Sequence, residues 1–286
     1  FIRQGLQILS LAVAAILVLQ QKMTPGSIVA ASIIGARAVG PLESCVAAWR
    51  RFLSVRIALK TLEDQVFLAD TLEANRTTLP PPTGEIAAQN ITITDVERRQ
   101  YILQGINFQV PAGSYVGIIG RSGSGKSTLL QALAGALHPT AGAVRFDGAD
   151  AAHWRRADLG PHIGFLPQSV QLHRGTVAEN IRRFGPVDDE ATLAAAQLSG
   201  AHEMIVGLPD GYNSDIGEQG SLLSGGMQQR IGLARAVYGN PMIYMFDEPT
   251  AHLDPRSETL FWRMVSQLKQ QGKTIFLITH NPAHVQ

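Results

Sequence analysis

Gly120-Arg121-Ser122-Gly123-Ser124-Gly125-Lys126-Ser127 is the stretch on which the reading of this chain turns. It satisfies the phosphate-loop pattern G-x-x-x-x-G-K-[ST] in full. The mostly apolar run Tyr115 to Ile119 before it predicts a strand, and Lys126 to Leu137 after it predicts a helix. The motif needs that context, because N–H groups of the loop and of the helix start must converge on phosphate. In such a loop Lys126 contacts the β- and γ-phosphates of a nucleotide, and the Ser127 hydroxyl is a ligand to Mg²⁺. Gly120, Ser122, Gly123, Gly125 and Thr128 are the remaining candidates for the phosphate cradle.

Two later stretches extend the site. The apolar run Met242 to Phe246 ends in Asp247 and Glu248. An acid after a buried strand holds Mg²⁺ through water, and a second acid polarises the attacking water. Glu248 therefore points to hydrolysis rather than to binding alone. Leu223-Ser224-Gly225-Gly226-Met227 reads as a second helix start, with Ser224 as the cap and a helix continuing to Tyr238. Gly225 and Gly226 let backbone N–H groups approach a phosphate closely. A second phosphate-binding helix start is redundant in one domain unless it serves another nucleotide. That geometry suggests a head-to-tail dimer with shared ATP.

The rest of the downstream chain reads as α/β. Ile86 to Val96, Ile102 to Val110 and Thr274 to Thr279 are strand candidates, and helical stretches separate the later strands. Such alternation argues for a core with parallel strands. Val177 to Tyr238 is mostly helical and is expected to form a separate lobe.

Upstream the composition changes. Gln4 to Gln21 is an 18-residue run without a charge, at the short edge of a membrane-spanning helix. Met23 to Ala36 is a shorter uncharged run rich in small residues, which becomes membrane-sized by continuing past Arg37 to Val39. Thr24-Pro25-Gly26 reads as the turn between them. The bland alternative for each run is a buried helix of a soluble protein. A cleaved signal peptide fits poorly, for want of a basic n-region and a small-residue cleavage pattern. Lys22 stands alone in the turn, whereas Arg50, Arg51, Arg56 and Lys60 follow the second run. The positive-inside tendency then puts the turn outside and the rest of the chain in the cytoplasm. Leu42 to Asn75 repeats apolar residues at helical spacing and predicts a long amphipathic extension. Pro80, Pro81, Pro82 and Gly84 mark its end. The expected organisation is residues 1–79 as membrane helices with their extension, 80–84 as linker and 85–286 as the nucleotide-binding domain.

Whole-chain figures bound the alternatives. The 286 residues suggest about two structural units by length. With 16% charged residues, 45% hydrophobic ones and a net charge of +1, the chain is not a charged disordered segment. No global basic excess points to a nucleic-acid partner. The single Cys45 excludes an intrachain disulfide and a multi-cysteine metal cluster. His138, His153, His162, His173 and His202 lack metal-ligand spacing. The mean hydropathy of +0.06 comes largely from Gln4 to Val39.

With these motifs in hand, the chain resembles the C-terminal part of an ATP-binding-cassette exporter. Leu223 to Met227 is similar to the family's signature motif, which normally ends in glutamine. Gln168, after Gly164-Phe165-Leu166-Pro167, matches the loop that senses Mg²⁺ and the attacking water while contacting the membrane domain. Glu218, in Gly217-Glu218-Gln219-Gly220, matches the loop that couples to the intracellular helices. Ala251-His252-Leu253-Asp254 resembles the loop that contacts the opposite subunit, and His280 the switch histidine that reaches the γ-phosphate.

Met23 to Ser32, Gly35 to Glu43, Ala201 to Ile205 and Leu208 to Tyr212 resemble more narrowly the type I protein secretion permease/ATPase, in its protease and lipase exporter branch. The implied fold is a membrane α-helical segment followed by an α/β P-loop NTPase of the ABC type with a helical subdomain. The upstream spans would be the last two of six, and the chain a fragment.

The resemblance implies ATP and Mg²⁺ as cofactors. Glu248, His280, Gln168 and Lys126 are its catalytic residues, and Ser127, Gln168 and Asp247 its metal residues. Ser224, Gly225 and Gly226 of a second copy would close over the γ-phosphate. The further implied partners are an adaptor protein, an outer-membrane channel, unfolded protein cargo and the lipid bilayer, with no nucleic acid. The implied location is the bacterial inner membrane, with the ATP-binding domain cytoplasmic. An exporter of lipids, drugs or peptides, and a non-transport ATPase, are the rival readings. Met227, Thr250 and His252 depart from the usual pattern. No aromatic lies at Asp95, where many exporters stack adenine, and Tyr101 is the substitute candidate.

Overall fold

The computed structural model describes residues 2–74, 79–95, 100–251 and 253–281. They fall into two units, Phe1–Ala74 and Asn75–Gln286. In the first, α1 (Ile2–Leu19) packs against α2 (Gly26–Ala74). The Lys22 N–H closes the end of α1 on the Leu17 carbonyl at 3.0 Å, and α2 starts at Gly26 as the Pro-Gly signal predicts. The second apolar run and the amphipathic extension are one 49-residue helix, with Pro41 inside it. Ile8, Leu9, Val13, Ile16, Val29, Ile33 and Ile34 are exposed. Among the described residues, no helix is long and apolar enough to cross a membrane. The expectation of two spans thus finds no support in helix length and apolarity.

The second unit contains β1 (Ile86–Asp95), β2 (Gln100–Val110), β3 (Tyr115–Ile118), α3 (Lys126–Leu133), β4 (Ala141–Phe146) and β5 (Ala149–Asp150). It continues through α4 (Arg156–Leu159), β6 (Ile163–Leu166), α5 (Val177–Ile181), α6 (Asp189–Leu198), α7 (His202–Val206) and α8 (Gly225–Val237). β7 (Ile243–Asp247), α9 (Pro255–Gln270) and β8 (Thr274–Ile278) complete it. The parallel core expected from the sequence is the sheet β3-β8-β7-β6, all of whose neighbours run parallel. A second, antiparallel sheet has the order β2-β1-β4-β5.

β7 shows why the parallel sheet reads as an unbroken apolar run. Every one of its residues is buried, because both faces of the sheet are covered. Tyr244 and Phe246 pack with Val177, Ile181, Ala195, Ile205, Ile231 and Phe261. Ile243 and Met245 pack on the other side with Leu130, Leu133, Phe146 and Ile86. The helices between Val177 and Val237 therefore share a core with the sheet instead of forming the independent lobe expected.

Two other boundaries differ from the sequence expectation. α3 stops at Leu133 rather than Leu137, since Gly135 takes φ +71° and turns the chain out of the helix. β4 (Ala141–Phe146) lies in a stretch for which the sequence carries no strand expectation. Its Ala-Gly-Ala start hides any alternation, and Gly142 lets it approach β1 so closely that a Cβ there would sit 2.2 Å from the Asn90 carbonyl oxygen. The proline-rich segment belongs to the second unit: Thr83 Oγ1 and the Glu85 N–H donate to the Asp147 carboxylate at 2.7 and 3.1 Å.

Candidate nucleotide-hydrolysis site

β3 runs directly into the phosphate loop, whose turn depends on Gly123 at φ +77° and Gly125 at φ +85°. At Gly125 a Cβ would come within 2.9 Å of Leu103 Cδ2 and 3.1 Å of the Ile102 carbonyl, so the position excludes a side chain on two counts. Gly125 is also the N-cap of α3 and makes no side-chain cap hydrogen bond to its first-turn N–H groups. Lys126 Nζ donates to the Gly120 and Arg121 carbonyls, each at 2.9 Å. The ammonium is thereby held over the loop between Gly120 and Ser127, while Ser122 and Gly123 at its tip are exposed. Ser127 and Thr128 are half-buried at the start of α3.

The parallel neighbours β7 and β8 deliver the acidic end of the site. Asp247 closes β7 and is only 2% exposed. Burial raises its pKa, and the Glu248 charge adds to the rise. The Ser127 hydroxyl, the Lys126 charge and the Gln168 backbone act in the opposite direction. Asp247 Oδ1 is buried without a hydrogen-bond partner among the described residues. An orphaned carboxylate oxygen beside Ser127 fits a hard cation such as Mg²⁺, which takes oxygen ligands and keeps several waters. No group of three or more His, Cys, Asp or Glu among the described residues forms a metal site alone.

Glu248 follows in the left-handed region, at φ +48°, with its N–H donating to the Ile278 carbonyl at 3.1 Å. His280, just beyond β8, places Nε2 2.7 Å from Glu248 Oε1. Gln168, two residues after β6, reaches Asp247 through its backbone and leaves its side chain exposed. Lys126, Ser127, Asp247, Gln168, Glu248 and His280 therefore converge from four elements at one end of the parallel sheet. Tyr101, on β2 next to Ile102 and the loop, is 64% exposed and presents its ring to solvent.

The signature stretch lies in a different neighbourhood. Ser224 Oγ accepts the Met227 N–H at 3.4 Å and caps α8, as its sequence position predicts. α8 packs against α5, α6 and β6, whereas α3 packs against β2, β7 and β8. Ser224 and Gly225 are exposed, and a Cβ on Gly225 would meet nothing within 4 Å among the described residues. Glu218 is exposed in a short turn, Glu218–Gly220. Asp254 caps α9 by accepting the Ser257 N–H at 2.7 Å, a bond that lowers its pKa. His252 lies outside the described residues.

One residue escaped the sequence reading. Gln229 is 2% exposed and donates Nε2–H to the Pro249 carbonyl at 3.0 Å, joining α8 to the residue after Glu248. Its only sequence signal is a polar side chain on the buried face of α8.

The ABC transporter family profile matches residues 103–251, the span from β2 past Glu248. The chain belongs to the ABC transporter family. Its relatives include the type I secretion system ATP-binding protein PrsD of Rhizobium meliloti (strain 1021), 36% identical over 98% of this chain and 48% of PrsD. The alpha-hemolysin translocation ATP-binding protein HlyB of Proteus vulgaris is 35% identical over 98% of this chain and 40% of HlyB. A bacterial Atm1-family ABC exporter solved with ATP bound is similar over 92% of this chain and 46% of its own, at 30% identity and a TM-score of 0.66. The chain thus spans about half the length, or less, of these ABC relatives.

Proposed function

We propose that this chain is the C-terminal part of the ATP-hydrolysing inner-membrane component of a type I secretion system, which exports unfolded proteins. The observation that carries the hydrolytic part is the convergence of Lys126, Ser127 and Asp247 with the Glu248–His280 pair at 2.7 Å. The likeness to PrsD over 98% of the chain supports the secretion part.

Lys126 and the loop N–H groups bind and orient the phosphates. Ser127 and Asp247, with Gln168 beside them, would hold Mg²⁺. When bound, the ion neutralises charge on the phosphate oxygens. Glu248 accepts the proton of the attacking water, and His280 fixes the carboxylate and reaches towards the γ-phosphate. Tyr101 offers an exposed face for adenine. The exposed start of α8 supports a head-to-tail pair in which Ser224, Gly225 and Gly226 of one copy close over the nucleotide of the other. Such closure drives transport only through the nucleotide's preference for the closed state.

Within this reading, the exposed apolar side chains of α1 and the first half of α2 face lipid in the full-length protein. The nucleotide unit is cytoplasmic, and Gln168 and Glu218 meet the intracellular helices. An adaptor protein and an outer-membrane channel would complete the path.

Glu248→Gln in the full-length protein tests the base: turnover should fall about 10²–10⁴-fold while ATP still closes the dimer. Unchanged turnover would sink the assignment. The cargo trapped by that variant then separates a secreted polypeptide from a lipid, drug or peptide. Release of the full-length protein by carbonate without detergent would overturn the membrane assignment.

A further inference from the structure

Glu248 is held in a backbone conformation that it would not choose. Its φ of +48° is costly for a residue with a Cβ, and the ring of Pro249 restricts the residue before it still further. Such a conformation persists only where the surroundings over-determine it. Three of its anchors lie close by. The N–H donates to the Ile278 carbonyl at 3.1 Å, the Glu248 carbonyl accepts the Ala251 N–H at 3.2 Å, and Oε1 meets His280 at 2.7 Å. The fourth anchor comes from another helix. Gln229 of α8, almost wholly buried, donates to the Pro249 carbonyl at 3.0 Å.

We propose that Gln229 is a positioning residue that makes the hydrolytic placement of Glu248 depend on the position of α8. The inference rests on the reading of Glu248 as base and of Ser224 as serving a partner's nucleotide. Gln229 lies about one turn beyond the capping Ser224 of the same helix. A packed helix moves as a unit, so a shift of its start as Ser224 meets the partner's nucleotide reaches the Pro249 carbonyl without loss along the way. The carbonyl that moves belongs to Pro249, the residue next to the strained Glu248. Each subunit's base is thereby set by what the same subunit finds in its partner's site, which links the two nucleotides energetically.

An ordinary buried hydrogen bond would contribute to stability alone, so the test must read more than folding. Gln229→Met keeps the length of the side chain and removes the donor. In the full-length protein it should lower kcat about tenfold, leave the KM for ATP within about twofold and reduce the Hill coefficient for ATP. A kcat within about twofold of the parent overturns the proposal, as does a matching change in KM.

Gln229→Glu is the second variant, because it regains a donor only when protonated. Its turnover relative to the parent should rise as the pH falls, and a flat ratio overturns the proposal even if Gln229→Met does not fold. Glu248→Gln run in parallel separates the two ideas. No effect there sinks the assigned base, whereas a loss there with an unaffected Gln229→Met sinks only the linkage.

Discussion

Two glycine-rich helix starts, those of α3 and α8, have similar sequences and opposite surroundings. At α3 the loop is already organised by Lys126, which donates to two of its carbonyls, and the acids of β7 lie beside it. At α8 the Ser224 hydroxyl caps the first turn through a long 3.4 Å bond, Gln228 Nε2 donates to the Gly220 and Leu223 carbonyls, and Gly225 faces open space among the described residues. The first brings its lysine, hydroxyl and acids together from one chain. The second has the N–H groups of an anion site, with the Arg230 guanidinium 3.5 Å from the Gly226 carbonyl and no hydrogen bond to a lysine among the described residues. The contrast teaches that glycine content marks where backbone can meet phosphate, while neighbouring side chains decide whose phosphate it is.

The sharpest way to break this comparison is to test binding by one cassette. Lys126→Ala should weaken a fluorescent ATP analogue about 100-fold in protein too dilute to dimerise, since a charge-assisted contact is lost. Ser224→Ala should leave that affinity within about twofold, yet cut turnover about tenfold in the dimer. Equal effects on both measurements would erase the distinction between a site that serves its own chain and one that serves a partner.

Asp247 gives a smaller effect with a definite sign. Its folded-state pKa is raised, so its favourable contribution is full below the ordinary aspartate range and is lost as pH rises through the raised value. Above that raised value the ionised, half-satisfied carboxylate is a cost to the metal-free fold. Asp247→Asn should therefore leave the metal-free Tm unchanged or higher while abolishing the extra stabilisation by Mg²⁺ with ATP. A lower metal-free Tm would contradict the pKa argument. The smallest expected effect is on folding itself. Ser224→Ala should cost only about 0.5 kcal/mol in urea unfolding, because its cap bond is long and exposed.

How much was legible varied with the kind of interaction. Lys126, Ser127, Asp247 and Glu248 were readable because a phosphate loop and an acid-ended buried strand carry local, position-specific patterns. β3, β7 and β8 were readable within a residue or two, since strands covered on both faces are continuous apolar runs. β4 was not, because its pairing with β1 depends on Gly142 fitting against Asn90, a contact between distant parts of the chain. The separate helical lobe failed for a related reason: periodicity shows that a helix has an apolar face, but not that Ile231 and Val177 share one core with Phe246.

The sequence by itself determined the chemistry of the phosphate loop, the order of the motifs and the parallel character of the central strands. Each of these follows from residues a few positions apart. Tertiary structure alone decided that His280 meets Glu248, that Asp247 is left with an orphaned oxygen, and that buried Gln229 ties α8 to Pro249. These depend on which strands neighbour one another and which helix covers them. That choice is made by burying apolar area across the whole unit, and no local run of residues records it.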